Sequence, residues 1–128
     1  MKTIEVVAAI IVKGNKVFAT QRGHGEYKGY FEFPGGKIEP DETKEQALIR
    51  EIREELNTAI VIDSHAINTN FDYPDFHLDM DCYWCKLDCD NYELLEHMSA
   101  KWVSKKEIDT LQWLPADEEV IKLIKETP

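Results

Sequence analysis

The chain opens on the apolar run "IEVVAAIIV", residues 4–12, interrupted only by Glu5, and its β-branched content reads as a strand. A second strand over 16–21 follows across "KGNK", a Gly-Asn turn between two β-rich runs. From Gly23 to Gly36 the pattern breaks into a glycine-studded loop with a short strand in "YFEF". The period then changes. In "TKEQALIREIREEL" Leu48, Ile52 and Leu56 recur at i, i+4 and i+8 with Ile49 on the flank, which predicts an amphipathic helix with that stripe in the core. Thr43 is placed to cap it, Gln46 to complete a capping box, and Asn57 to take the left-handed conformation at its end. Strands are predicted near 59–71, 76–87 and 100–103, then a short helix near 105–111 and another near 116–126 opened by "PAD". Strands mixed with a few helices, without strict βαβ repetition, indicate an α/β fold in which a mixed sheet is sandwiched by helices.

At 128 residues, 43% hydrophobic and 31% charged, the sequence fits one globular domain over 1–128. With 15 Lys and Arg against 25 Asp and Glu the formal charge is -10, and no basic block exists to grip a nucleic-acid polymer. An anionic small molecule carried with a divalent cation fits that balance. The opening run is too short to cross a bilayer and is not a signal peptide, so a soluble, cytoplasmic protein without membrane partners is expected. Cys82, Cys85 and Cys89 are an odd set in a chain without an export signal, which favours reduced thiols. In a strand, residues 82 and 85 point to opposite faces, and no second pair of ligands completes a zinc site.

The predicted helix ends in "REIREELN", where Glu51, Glu54 and Glu55 share one face at i, i+3 and i+4. Like charges so spaced cost roughly 0.2 to 0.5 kcal/mol per pair, and acids at a helix C-terminus oppose the macrodipole by roughly 0.3 to 1 kcal/mol each. Arg50 and Arg53 compensate in part, though on the helix wheel neither is at the centre of the acidic face. A hard divalent cation such as Mg²⁺ would convert the repulsion into coordination. A solvated charged face is the plainer reading of such a helix in isolation, but "FEFPGGKIEPDE" stands just before it. Pro34, Gly35 and Gly36 let backbone approach a ligand closely, and Lys37 adds a charge that seeks phosphate. Glycines, lysine and clustered carboxylates together make a phosphate-plus-metal site.

Gly36, five residues, Glu42, seven residues, then Arg50-Glu51-Ile52-Arg53-Glu54-Glu55: this segment resembles the Nudix box of the Nudix hydrolases. It departs at its end, where Asn57 stands for a Gly and Thr58 for an apolar residue; Asn tolerates the left-handed conformation. "EVVAAIIV", "FEFPGGK", "EHMSAKWV" and "WLPADEEVIKLI" extend the likeness to the MutT branch, including its CTP pyrophosphohydrolase relatives. The resemblance implies a Nudix-type α/β/α sandwich that hydrolyses nucleoside triphosphates to monophosphate and pyrophosphate with Mg²⁺, or with Mn²⁺. By motif, Glu51, Glu54 and Glu55 with the carbonyl of Gly35 would ligate the metal, and Arg50 would orient Glu51. Glu96, six residues before Trp102, matches a loop glutamate that approaches the metals and helps activate water. Arg22 and Lys37 match phosphate contacts, and Glu42 is read as holding loop to helix. The general base is Glu51 or Glu96, between which the sequence does not choose.

The family's base pocket would draw on the first strand, Phe33, the strand near Phe76 to Leu78 and the "PAD" segment. Where this chain has Asp117, the branch that removes oxidised guanine nucleotides has Asn and the CTP-hydrolysing relatives have Asp. An ionised Asp only accepts hydrogen bonds, which tilts the expected substrate toward CTP, dCTP or 5-methyl-dCTP, with 8-oxo-dGTP next. Tyr73 and Pro74 lie near positions that mark other branches, so dinucleoside polyphosphates and ADP-ribose stay open. Asn57 and Thr58 likewise leave open a non-catalytic nucleotide-binding module. His77, Asp79 and Asp81 read as a solvent-facing polar strip, His97 as a loop hydrogen-bonder, and Trp84, Trp102 and Trp113 as core. The partner expected is a nucleotide, and the assembly a monomer or homodimer.

Overall fold

In the computed structural model, which describes residues 1–128, strand β1 (Lys2–Lys13) runs through the middle of a mixed sheet. The others are β2 (Lys16–Arg22), β3 (Phe31–Glu32), β4 (Gly35–Lys37), β5 (Ile60–Asp72), β6 (Phe76–Leu87) and β7 (His97–Ser104). The order is β3-β2-β1-β6-β5, with β4 also on β1 and β7 on β2. β1 and β6 run parallel from Lys2↔Phe76 to Ile11↔Cys85, and every other pairing is antiparallel. The opposite edge of β1 is shared: Val6, Val7 and Ala8 pair with β4, while Val12 and Lys13 pair with β2. That division sends β2, β3 and β7 away from β4 and seats β4 beside the helix that follows it.

Helices α1 (Lys44–Leu56) and α2 (Glu118–Glu126) cover the two faces. Val7, Ala9 and Ile11 join Phe18, Tyr83 and Cys85 under Ala47, Leu48, Ile52 and Leu56 of α1. Ala8 and Ile10 join Val17, Ala19, Met80, Cys82 and Val103 under Val120, Ile121 and Ile124 of α2. Burial on both faces explains why "VVAAII" lacks the polar alternation of a half-exposed strand. Cys82 and Cys85 fall on opposite faces as expected, and all three cysteines are free thiols. No helix is long and apolar enough to cross a membrane.

α1 begins and ends on the predicted residues. Thr43 accepts from the Gln46 amide while the Gln46 side chain accepts from the Thr43 amide, and Asn57 takes the left-handed conformation at φ 47 and ψ 46. The helical stripe is narrower than expected, since Ile49 is 42% exposed. β4 was not foreseen, because Gly-Gly-Lys has no strand preference of its own; the edge of β1 imposes it. β7 starts three residues earlier than the strand expected at 100–103. The helix expected over 105–111 is a single 3-10 turn, Ile108–Thr110. Gln112 and Leu114 are required instead as backbone partners of Phe31, and the Trp113 indole donates to the Ile108 carbonyl, so the chain leaves the helical path. A second 3-10 turn, Pro115–Asp117, leads into α2.

Candidate active site

α1 delivers its last turn to the mouth of a cleft of about 780 Å³. Glu51 and Glu55 line it, with Gly35, Gly36 and Lys37 of β4 on one side and Arg22, Glu32, Glu96 and His97 on the other. The closeness of β4 to α1 depends on glycine: a Cβ on Gly36 would lie 2.4 Å from the Glu51 carboxylate carbon. One on Gly35 would lie 1.9 Å from the Val7 carbonyl oxygen. The loop before β7 is tied to the helix end, with the Glu93 amide donating to the Leu56 carbonyl (2.8 Å) and the Leu95 amide to the Glu55 carbonyl (3.0 Å). These two bonds satisfy carbonyls that a helix end leaves free and carry Glu96 to the acidic face. Asn57 assists with a side-chain bond to Glu93 (3.0 Å).

Arg50 occupies the position that the helix wheel denied it. Its guanidinium donates to both oxygens of Glu42 (2.7 and 2.9 Å), to Glu51 (3.0 Å), to Glu54 (3.0 Å) and to the Lys37 carbonyl (3.0 Å). The reason is reach: the long arginine side chain folds across the helix surface toward Glu42 and β4, which a projection of Cβ directions does not register. The i, i+4 spacing to Glu54 is the available sequence signal. Glu42 also accepts from the Glu39 amide, so it binds loop to helix as read. Glu54, bound to Arg50, is about half exposed and does not line the cleft.

Glu55 is the opposite case. It is buried, its Oε1 has no hydrogen-bond partner, and its pKa lies far above the carboxylate range. Burial is the main cause, followed by the Glu51 carboxyl and the charges of Glu32 and Glu96. No three acidic or imidazole groups converge on one point in this arrangement. The donor set nonetheless suits a hard divalent cation: an orphaned buried carboxylate oxygen beside Glu51 and Glu96, and a glycine strand whose backbone can come close. A bound cation would take the place of the proton on Glu55.

Farther in, the cleft is lined by Val6, Ala8, Phe33, Tyr73, Phe76, Leu78, Met80, Ala116 and Asp117. Phe33 stacks on Trp113 with centroids 4.8 Å apart, and Tyr73 stacks on Phe76 at 5.1 Å. The Tyr73 hydroxyl accepts from the Ala116 amide (3.3 Å), which holds the "PAD" turn over the pocket. Asp117 is buried with Oδ2 unpartnered. Its enclosure, reinforced by the Glu32 charge and opposed by Arg22, pushes the carboxyl well above its usual range. Burial thus disfavours the ionised, acceptor-only Asp117 expected from the sequence, and a protonated carboxyl there would both donate and accept.

Of the residues expected in the site, Arg22, Phe33, Gly35, Lys37, Glu51, Glu55, Phe76, Glu96 and Asp117 line one cleft. Arg50 and Glu54 stand behind its acidic wall. Glu32 was missed altogether, and His97 was expected to do no more than make a loop contact. Both face inward here, with Glu32 3.0 Å from Arg22 and 3.2 Å from His97. Their pairing follows from strand register and has no signature in the spacing. The polar strip is less solvent-facing than expected. Asp81 is buried beneath Lys44 (2.8 Å), His65 (2.8 Å) and Asn68 (3.2 Å), Asp79 accepts from Asn68, and the ring nitrogens of His77 face the Oδ1 atoms of Asp72 and Asn70.

The profile of the NUDIX domain matches residues 6–123. The CTP pyrophosphohydrolase of Escherichia coli (strain K12) is 34% identical over 130 residues, covering 91% of this chain and 87% of the relative. The 8-oxo-dGTP diphosphatase of the same strain is 30% identical over 128 residues and is covered to 98%, as is this chain. Among solved structures, MutT of methicillin-resistant Staphylococcus aureus 252 superposes with a TM-score of 0.77 at 39% identity, with 98% of each chain covered. The match runs through the whole sandwich as well as the acidic helix, and the chain belongs to the Nudix hydrolase family, in its MutT branch.

Proposed function

We propose that the protein is a Mg²⁺-dependent pyrophosphohydrolase of nucleoside triphosphates, releasing monophosphate and pyrophosphate, with cytosine nucleotides as preferred substrates. The observation that carries this reading is the buried, partnerless carboxylate of Glu55 set among Glu51, Glu96 and the glycines of β4, with Arg22 and Lys37 lining the same cleft. Mg²⁺ or Mn²⁺ held by Glu51, Glu55, Glu96 and the Gly35 carbonyl, with Glu54 turning from Arg50 toward the cleft to join them, would supply charge neutralisation at the phosphates and a more acidic attacking water. Arg22 and Lys37 bring positive charge to the phosphate oxygens. Arg50 orients Glu51 and Glu54 through the bonds described above. Glu51 is thus engaged, whereas Glu96 is exposed and makes no hydrogen bond or ion pair, so Glu96 accepts the proton of the attacking water.

In the pocket, a neutral Asp117 donates to cytosine N3 and accepts from N4, while Phe76 and Phe33 offer ring faces to the base. The names of the two Escherichia coli relatives support a nucleoside triphosphate, and the first of them supports cytosine. The helix end argues against a non-catalytic module, because Asn57 adopts the geometry a glycine would supply and every acidic residue of the box is present.

The test is turnover of CTP, dCTP, 5-methyl-dCTP and 8-oxo-dGTP with Mg²⁺, with released pyrophosphate distinguished from phosphate. Absence of pyrophosphate from all four, or undiminished turnover in Glu54→Gln, would sink the reading. Asp117→Asn keeps one donor and one acceptor and is expected to hold kcat/KM for the cytosine substrates within about tenfold. Asp117→Ala removes both and is expected to lower it by roughly 10 to 100-fold, in line with about 1 to 3 kcal/mol for a two-bond base contact. Equal behaviour of the two variants counts against the pocket assignment.

A further inference from the structure

His97 has no part in the acidic box, yet its side chain is only 6% exposed. Two features put it in the cleft. The β2–β7 register slips between Gln21 and Arg22, which sets His97 opposite Arg22. The turn before it is pinned to α1 through the Leu95 amide and the Glu55 carbonyl. The imidazole Nε2 consequently stands 3.2 Å from Glu32 Oε2 and 3.7 Å from Glu55 Oε1. The other oxygen of Glu32 receives Arg22 at 3.0 Å.

The second distance matters because Glu55 Oε1 is buried without a hydrogen-bond partner, and no lysine or arginine lies within ion-pair range of it. His97 is its one basic neighbour. At 3.2 Å the Nε2 hydrogen is given to Glu32; at 3.7 Å it falls just outside hydrogen-bond reach of Glu55, so a movement of about half an ångström would share it. Groups that hold the far oxygen of a metal-binding carboxylate set its direction and basicity.

We propose that His97 is a positioning residue: its Nε2 hydrogen, held between Glu32 and Glu55, fixes the inner oxygen of Glu55 so that the other is presented to the cation. It also joins the Arg22–Glu32 pair to the same carboxylate. The inference rests on the metal-dependent reading above and deepens it.

Mn²⁺ binding to the purified full chain, read by electron paramagnetic resonance without nucleotide, tests it together with kinetics. His97→Phe keeps bulk and loses the donor. It is expected to weaken Mn²⁺ binding by about 10 to 100-fold. It should also lower kcat by about tenfold at saturating metal while nucleotide KM stays within about threefold. His97→Gln restores a donor and is expected to recover most of both losses. Parental Mn²⁺ affinity in a folded His97→Phe protein overturns the role, as does a Gln variant no better than Phe. Should His97→Phe fail to fold, Gln and Asn decide: Gln, whose amide reaches the Nε2 position, is expected to bind Mn²⁺ about tenfold more tightly than Asn, and equal affinities overturn the role. A parent that binds no Mn²⁺ overturns both this inference and the metal-dependent reading, whereas parental binding untouched by these variants overturns the inference alone.

Discussion

Glu55 shows how a single side chain couples fold stability to function. Below its ordinary value of 4.5 the carboxyl is protonated in both folded and unfolded chains; above it the unfolded chain releases the proton, while the folded chain keeps it until about pH 10. Folding therefore retains a proton throughout that window, and cation-free stability falls as pH rises through it. One such group contributes at most about 1.4 kcal/mol per pH unit. In thermal melts with chelator from pH 6 to 9, the parent is expected to lose Tm steadily, and Glu55→Gln, neutral at every pH, to show a flatter profile. Identical slopes would remove Glu55 as the cause. Added Mg²⁺ is expected to restore stability most at the high-pH end, where displacing the Glu55 proton costs least. The presence of Glu55 at an acidic helix end was legible in the sequence. Its burial was not, because the residues that enclose it, Glu32, Glu96 and His97, come from separate parts of the chain.

At the level of elements, the pair Gly35-Gly36 separates a structural requirement from a chemical one. A methyl group on Gly36 meets the end of the Glu51 side chain, which can swing away; one on Gly35 meets the backbone of β1, which cannot. Gly36→Ala is expected to fold with a Tm near that of the parent but to lose roughly 100-fold in kcat, since Glu51 is pushed out of place. Gly35→Ala is expected to lose about 2 to 3 kcal/mol of stability in urea unfolding. If Gly36→Ala proved the less stable of the two, the assignment of β4 to the edge of β1 would need revision. β4 is also where reading by pattern falls short: a Gly-Gly-Lys segment has neither alternation nor propensity, and only the unpaired edge of β1 makes it a strand. α1 is the converse, with stripe, cap and terminus all written within fifteen consecutive residues, Thr43 to Asn57.

Over the whole molecule, the two-sided core sets which groups are chemically available. Burial pushes the Cys85 thiol up to about 12 and Cys82 higher still, while Cys89 is exposed. Titration with a disulfide reagent at neutral pH is expected to modify one thiol per native chain and three after denaturation. Rapid reaction of two or more in the native protein would show that a face of the sheet is open. By itself the sequence determined the sandwich, the capped helix, the acid-rich end of that helix and the glycine-lysine approach to it, because each depends on periodicity or hydrogen bonds spanning only a few residues. Tertiary structure alone decided that Arg50 gathers Glu42, Glu51 and Glu54, that Asp117 is enclosed with its carboxyl pushed up, and that His97 stands between Glu32 and Glu55. Those contacts join residues up to 65 positions apart. The upward push on the Glu55 and Asp117 carboxyls comes first from desolvation, which exists only once the sheet has closed around them.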